Sequence, residues 1–154
     1  MTELTELQRI RGWAEFVLRD AEGNIKVQFE QPNTITTLGH AMANGRISNQ
    51  GSYGVCTVLA LGIGTGGTTT LNSEITTAGG ARATAVATQV TTTNASDTTQ
   101  LVYTWTFSGP FAITEEGIVD STTVAGSHLL AYQTFSAINV VNTDQLTVTH
   151  KYQT

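Results

Sequence analysis

The stretch from Phe107 to Phe135 constrains the fold more than any other part of this chain. From Phe111 to Val119 the residues alternate with a period of two. Phe111, Ile113, Glu115, Gly117 and Val119 fall on one face, and Ala112, Thr114, Glu116 and Ile118 on the other. From His128 to Phe135 the pattern returns, with Leu130, Tyr132 and Thr134 opposite Leu129, Ala131, Gln133 and Phe135. Between the two runs, Asp120 to Gly126 is small, polar and closed by glycine, which is turn chemistry. The stretch therefore predicts a β-hairpin at the centre of an antiparallel sheet. It also places the carboxylate of Glu115 among Ile113 and Val119, where a charge needs a partner. Arg82 is the natural partner, with Arg46 as the alternative, so an ion pair between Glu115 and Arg82 is expected.

The flanking sequence supports more sheet. Trp13–Leu18 and Ile25–Glu30 read as a hairpin around an Asp20–Asn24 turn, and Trp13 and Phe16 lie on opposite pleat faces. Val55–Leu61 is apolar on both faces, as a covered central strand would be. Arg82–Thr92, Leu101–Phe107 and Gln145–Tyr152 each alternate, the last placing Leu146, Val148, His150 and Tyr152 together. One helix is predicted over Thr34–Ile47, capped by Asn33 or Thr34, with Ile35, Leu38, Met42 and Ile47 on a stripe. Gly39 and Gly45 weaken it. About eight strands and one helix fit an all-β fold, a jelly-roll-like antiparallel sandwich. With 154 residues, one domain (13–154) follows a short N-terminal arm (1–12).

Composition narrows the function. Only 12% of residues are charged and the net charge is −5, with Lys and Arg scattered, so no nucleic-acid partner is expected. The polar N-terminus lacks the pattern of a signal peptide, and no apolar run reaches membrane-spanning length, so no membrane partner is expected either. Cys56, the one cysteine, sits in an apolar run and reads as an inert buried thiol.

Several motifs invite chemistry and lack its context. Gly62-Ile-Gly64-Thr-Gly-Gly67 spells the dinucleotide fingerprint but no helix follows it, so the loop reads as a turn and no cofactor is expected. Glu115 and Glu116 point to opposite faces and cannot act as a catalytic pair. Ser121, His128 and Asp144 could compose a triad, yet no nucleophile-elbow sequence surrounds the serine. His40, His128 and His150 lack metal-ligand spacing. Asn94-Ala-Ser96 is a sequon that reads as a turn. No catalytic residue, metal site or enzyme activity is expected.

In order, the chain carries Asn33-Thr-Ile-Thr-Thr-Leu-Gly39, Ala60-Leu-Gly-Ile-Gly-Thr-Gly-Gly-Thr-Thr69, Leu71, Glu74, Arg82, Ile113-Thr-Glu-Glu-Gly-Ile118, Leu129–Phe135 and a closing Asp144–Thr149 strand. This order resembles small virion proteins of tailed bacteriophages, most of all head decoration (cement) proteins, over roughly residues 13 to 150. The resemblance implies a structural role on the capsid surface as a homotrimer bound to the major capsid protein. The alternative is a receptor- or glycan-binding module of the tail, using Trp13, Tyr53 or Tyr103 as sugar-stacking surfaces. A more distant alternative is a hydrolase built on Ser121 and His128.

Overall fold

The computed structural model describes residues 10–67 and 69–154. Among these residues, ten strands and one helix form. They are β1 (Arg11–Arg19), β2 (Ile25–Pro32), β3 (Thr34–Ile35), α1 (Thr37–Ser48), β4 (Val58–Gly62), β5 (Ala83–Thr84), β6 (Val86–Val90), β7 (Thr98–Thr106), β8 (Phe111–Val119), β9 (Leu129–Val140) and β10 (Gln145–Gln153). Two antiparallel sheets of five strands face each other, ordered β2-β1-β10-β7-β6 and β3-β9-β8-β4-β5. The all-β sandwich with one short helix is the architecture expected from the alternation. The arm assigned to residues 1–12 lies outside the described residues up to position 9, and Arg11 and Gly12 already belong to β1.

Two strands change sheet, and each explains an element that sequence reading drew as continuous. β2 passes into β3 at Asn33, and β5 passes into β6 at Ala85, so a crossing strand joins the two layers on each flank. Thr34 and Ile35 are thereby extended and pair with Tyr132 and Ala131 of β9. The helix accordingly starts at Thr37, capped by Thr36, whose Oγ1 accepts the N–H of Gly39 at 2.7 Å. Of the predicted helical stripe, Met42 is buried and Leu38 half-buried, while Ile47 is exposed.

The main core lies between the sheets. Ala14, Phe16 and Leu18 of β1, Leu101 and Trp105 of β7, and Leu146 and Val148 of β10 meet Leu59, Leu61, Ile113, Ile118 and Ala131 of the second sheet. Phe16 stacks on Phe29 at a centroid distance of 4.9 Å and tilts against Phe135 at 4.7 Å. A smaller cluster of Val58, Ala60, Leu71, Val119 and Leu129 sits on the outer face of the second sheet, under the loop that follows β4.

The central hairpin is present, with β8 in the middle of its sheet. Its faces differ from strict alternation. Ile113 pairs with Ile138 but Glu115 pairs with Thr134, so β9 carries two more residues than β8 across this interval. This irregularity turns Ile113 into the main core beside Ile118. Glu115 goes to the outer face with Gly117 and Val119, and Glu116 points between the sheets.

Candidate functional site

Both adjacent glutamates of β8 are fully buried, one on each side of the sheet, and each organises a polar cluster.

Glu115 is held by backbone. Its Oε1 accepts the N–H of Ser73 at 2.8 Å and that of Gly64 at 3.3 Å, and its Oε2 accepts the N–H of Asn72 at 3.1 Å. Residues 61–63 and 73–75 zip together beside it, through Ile63 N–H to Ser73 O at 2.8 Å and Ile75 N–H to Leu61 O at 2.8 Å. The glycine loop thus wraps the carboxylate. A Cβ on Gly62 would lie 2.3 Å from Glu115 Oε1, and one on Gly64 would lie 2.8 Å from the Asn72 side chain. The glycines are where they are because the loop must close on a buried carboxylate. Peptide N–H groups converging on an acceptor form a nest. Here the anion is the protein's own side chain.

The expected Glu115–Arg82 pair does not form. Arg82 instead makes a two-pronged contact with Glu74, Nε to Oε1 and Nη2 to Oε2, the second at 2.8 Å. Its Nη1 donates to Ser121 O at 3.0 Å, Thr123 O at 3.1 Å and Ser127 Oγ at 2.7 Å. Both side chains of this pair are buried. Arg82 therefore fastens the 120–128 turn to the loop that cages Glu115, one residue beyond Ser73. Arg46, the alternative partner, donates to Tyr53 O at 3.5 Å.

Glu116 faces the other sheet. Its Oε1 lies 3.0 Å from Nδ1 of His150 on β10, and its Oε2 accepts from Nε2 of Gln133, its cross-strand neighbour, at 3.0 Å. Asn33, at the corner between β2 and β3, reaches His150 Nε2 through its Nδ2. In that orientation the imidazole carries its hydrogen on Nδ1 and donates it to Glu116. Asn33 Oδ1 and Gln133 Oε1, at the two ends, are buried and unpaired. This line of four side chains crosses from one sheet to the other through the apolar core. Sequence reading placed His150 on one side of its strand with Leu146, Val148 and Tyr152 but named no partner for it.

A third cluster lies on the turn after β8. Asp120 Oδ1 accepts the N–H of His128 at 2.7 Å, and Asp120 Oδ2 meets His128 Nδ1 at 2.7 Å and the N–H of Gly54 at 3.0 Å. Burial pushes the Asp120 carboxyl up. The backbone and ring of His128 and the Gly54 amide outweigh it and hold the group below the usual carboxylate range. Tyr53 sits edge-on to the His128 ring at 5.1 Å.

The triad imagined from sequence is not assembled. Asp144 pairs with Lys26 at 2.5 Å, Asp120 holds His128, and Ser121 Oγ accepts the N–H of Thr123 at 3.1 Å. Cys56 is half-buried, and desolvation, aided by the charge of Asp120, pushes its thiol up to about 12. The sequon is a turn, as read. Asp97 accepts the N–H groups of Thr92, Thr93 and Asn94 at 2.9, 3.0 and 2.8 Å. Among the aromatics offered as sugar platforms, Tyr103 packs edge-on against Trp105 beside the core and Tyr53 against His128. Trp13 is half-buried on the outer face of β1.

Comparison with known protein families, curated proteins and solved structures finds no match for this chain.

Proposed function

We propose that this chain is a structural virion protein that binds the outside of a phage capsid as an oligomer and reinforces the shell. One observation carries the reading beyond motif likeness. The Gly-Thr-Gly loop and the Glu-x-Gly-Ile strand, far apart in sequence, meet at the Glu115 carboxylate, and Glu74, next to its donor Ser73, holds Arg82. Residues that resemble phage virion proteins are thus spent on the rigidity of the sandwich, which is what a load-carrying component requires. Its work would be binding alone: apolar and hydrogen-bonded contacts that join neighbouring capsid subunits. Three copies around a threefold position is the arrangement that the resemblance implies.

Purified protein added to undecorated heads tests this directly. Saturable binding at hundreds of copies per particle is the expected result. Failure to bind heads, with tagged protein mapping to a few copies on the tail, would replace this reading with the tail-module one.

A further inference from the structure

Among the described residues, β6 is an edge strand with a free side. Its one partner in the sheet among them is β7, and β5, the strand before it, ends at Thr84. Val86, Ala87, Thr88 and Gln89 are all exposed, Val86 to 69%. From Ala83 through Ser96 no residue is charged. The opposite edge of the same sheet is different. β2 carries Lys26, Glu30 and Pro32, the residue types that keep an edge from pairing with another chain.

An open, uncharged edge selects its ligand by backbone geometry. Alternating N–H and C=O groups along it match another extended strand and little else. The side chains then select which strand. Val86-Ala-Thr-Gln-Val90 reads almost alike in both directions. Antiparallel pairing centred on Thr88 sets Val86 opposite Val90 twice, on the face that holds Thr88, and Ala87 opposite Gln89 on the other face. Cross-strand β-branched pairs of this kind are favourable, and no like charges meet although the chain carries −5. We propose that β6 pairs with β6 of a second copy about a twofold axis at Thr88, joining their five-stranded sheets edge to edge. Such a contact is self-complementary, as twofold interfaces must be. It covers less than the ~1,600 Å² of a standard interface. The pairing therefore forms at high concentration or between neighbours already held on a surface. It does not depend on the decoration reading, because free protein suffices to test it.

Sedimentation velocity over a concentration series, with disulfide trapping, is the experiment. Directly opposed residues of antiparallel strands lie about 4.5–5.5 Å apart between Cα atoms, within disulfide reach. In a Cys56→Ser background, Thr88→Cys is expected to form covalent dimers at least tenfold faster than Thr104→Cys, an exposed control on β7. Thr88→Lys and Thr88→Glu, each checked for an unchanged melting curve, are expected to weaken self-association roughly fivefold. An equimolar mixture of the two restores it. Monomer at every concentration, with trapping no faster than at Thr104, overturns the proposal. Failure of the mixture to restore association overturns the Thr88-centred register. If free protein stays monomeric and Thr88→Lys instead abolishes binding to undecorated heads, the edge belongs to a strand of the shell and the self-pairing is wrong.

Discussion

Three backbone amides converge on the Glu115 carboxylate, and among the described residues no cationic side chain is seen hydrogen-bonded to it. Glu115→Gln keeps the shape but turns an NH₂ group toward at least one of those N–H donors, which leaves buried donors facing each other. Losing charge-assisted bonds of this kind costs about 2–4 kcal/mol, so the melting temperature should fall by several degrees. Arg82→Ala should cost about 3–5 kcal/mol by leaving Glu74 buried and unpaired. A double-mutant cycle separates the two sites: strong coupling is expected between Arg82 and Glu74, and much weaker coupling between Arg82 and Glu115. Asp120 adds a pH dependence. Its folded pKa is depressed, so its contribution to stability is complete above the unfolded value of about 3.9 and disappears as the pH falls through the lower folded value. Asp120→Asn should therefore lower the melting temperature at pH 7 and flatten its decline below pH 4. At the site, sequence showed that Glu115 is buried but named the wrong partner. Charge pairing can be guessed from composition, whereas an amide nest depends on where loop 63–73 returns in space. The one available signal was the glycine run, whose close spacing announces backbone near something.

At the scale of elements, the alternating segments were legible because each has one face against the core: β1, β7, β8 and β10 fall within a few residues of their predicted bounds. What was not legible is where a strand changes partners. Thr34–Ile35 and Ala83–Thr84 pair across to the second sheet, a decision made by distant residues of β9 and β4. The irregularity between Ile113 and Glu115 likewise reverses a face without any mark in the local sequence. Gly39 shows the same limit. Read alone it weakens the helix, yet a Cβ there would lie 2.1 Å from the carbonyl oxygen of Leu130, so it is the point where α1 touches β9. Alanine is the better helix former by about 1 kcal/mol. Gly39→Ala should nonetheless destabilise the protein by about 1–3 kcal/mol, because the helix must lift from the sheet. Thermal melts of Gly39→Ala beside Gly23→Ala, whose site has open space but a φ of 88°, would separate overpacking from backbone strain.

The whole molecule is a sandwich fastened on both flanks by sheet-changing strands and through its middle by the Asn33–His150–Glu116–Gln133 line. Under the decoration reading such a body bears load without moving and attaches through its edges and termini. Under that reading the contributions of residues 1–9 and residues 10–12 can be tested apart. Gly12 lies on the inner side of β1, where a Cβ would collide with Asn33 Oδ1 at 2.0 Å, and its carbonyl accepts the Asn33 N–H at 3.0 Å. Deleting residues 1–12 would shorten β1, uncover the corner at Asn33 and open the polar line behind it. The expected outcome is a clear loss of melting temperature and, under the decoration reading, loss of head binding. Deleting residues 1–9 alone leaves β1 and its ladder with β10 intact from Arg11 onward. That truncation should melt within a degree or two of the full chain, and under the decoration reading it should bind undecorated heads at least tenfold more weakly. Equal head binding by the 1–9 deletion would place the capsid contact on the sandwich itself, while a lowered melting temperature would make those residues part of the fold.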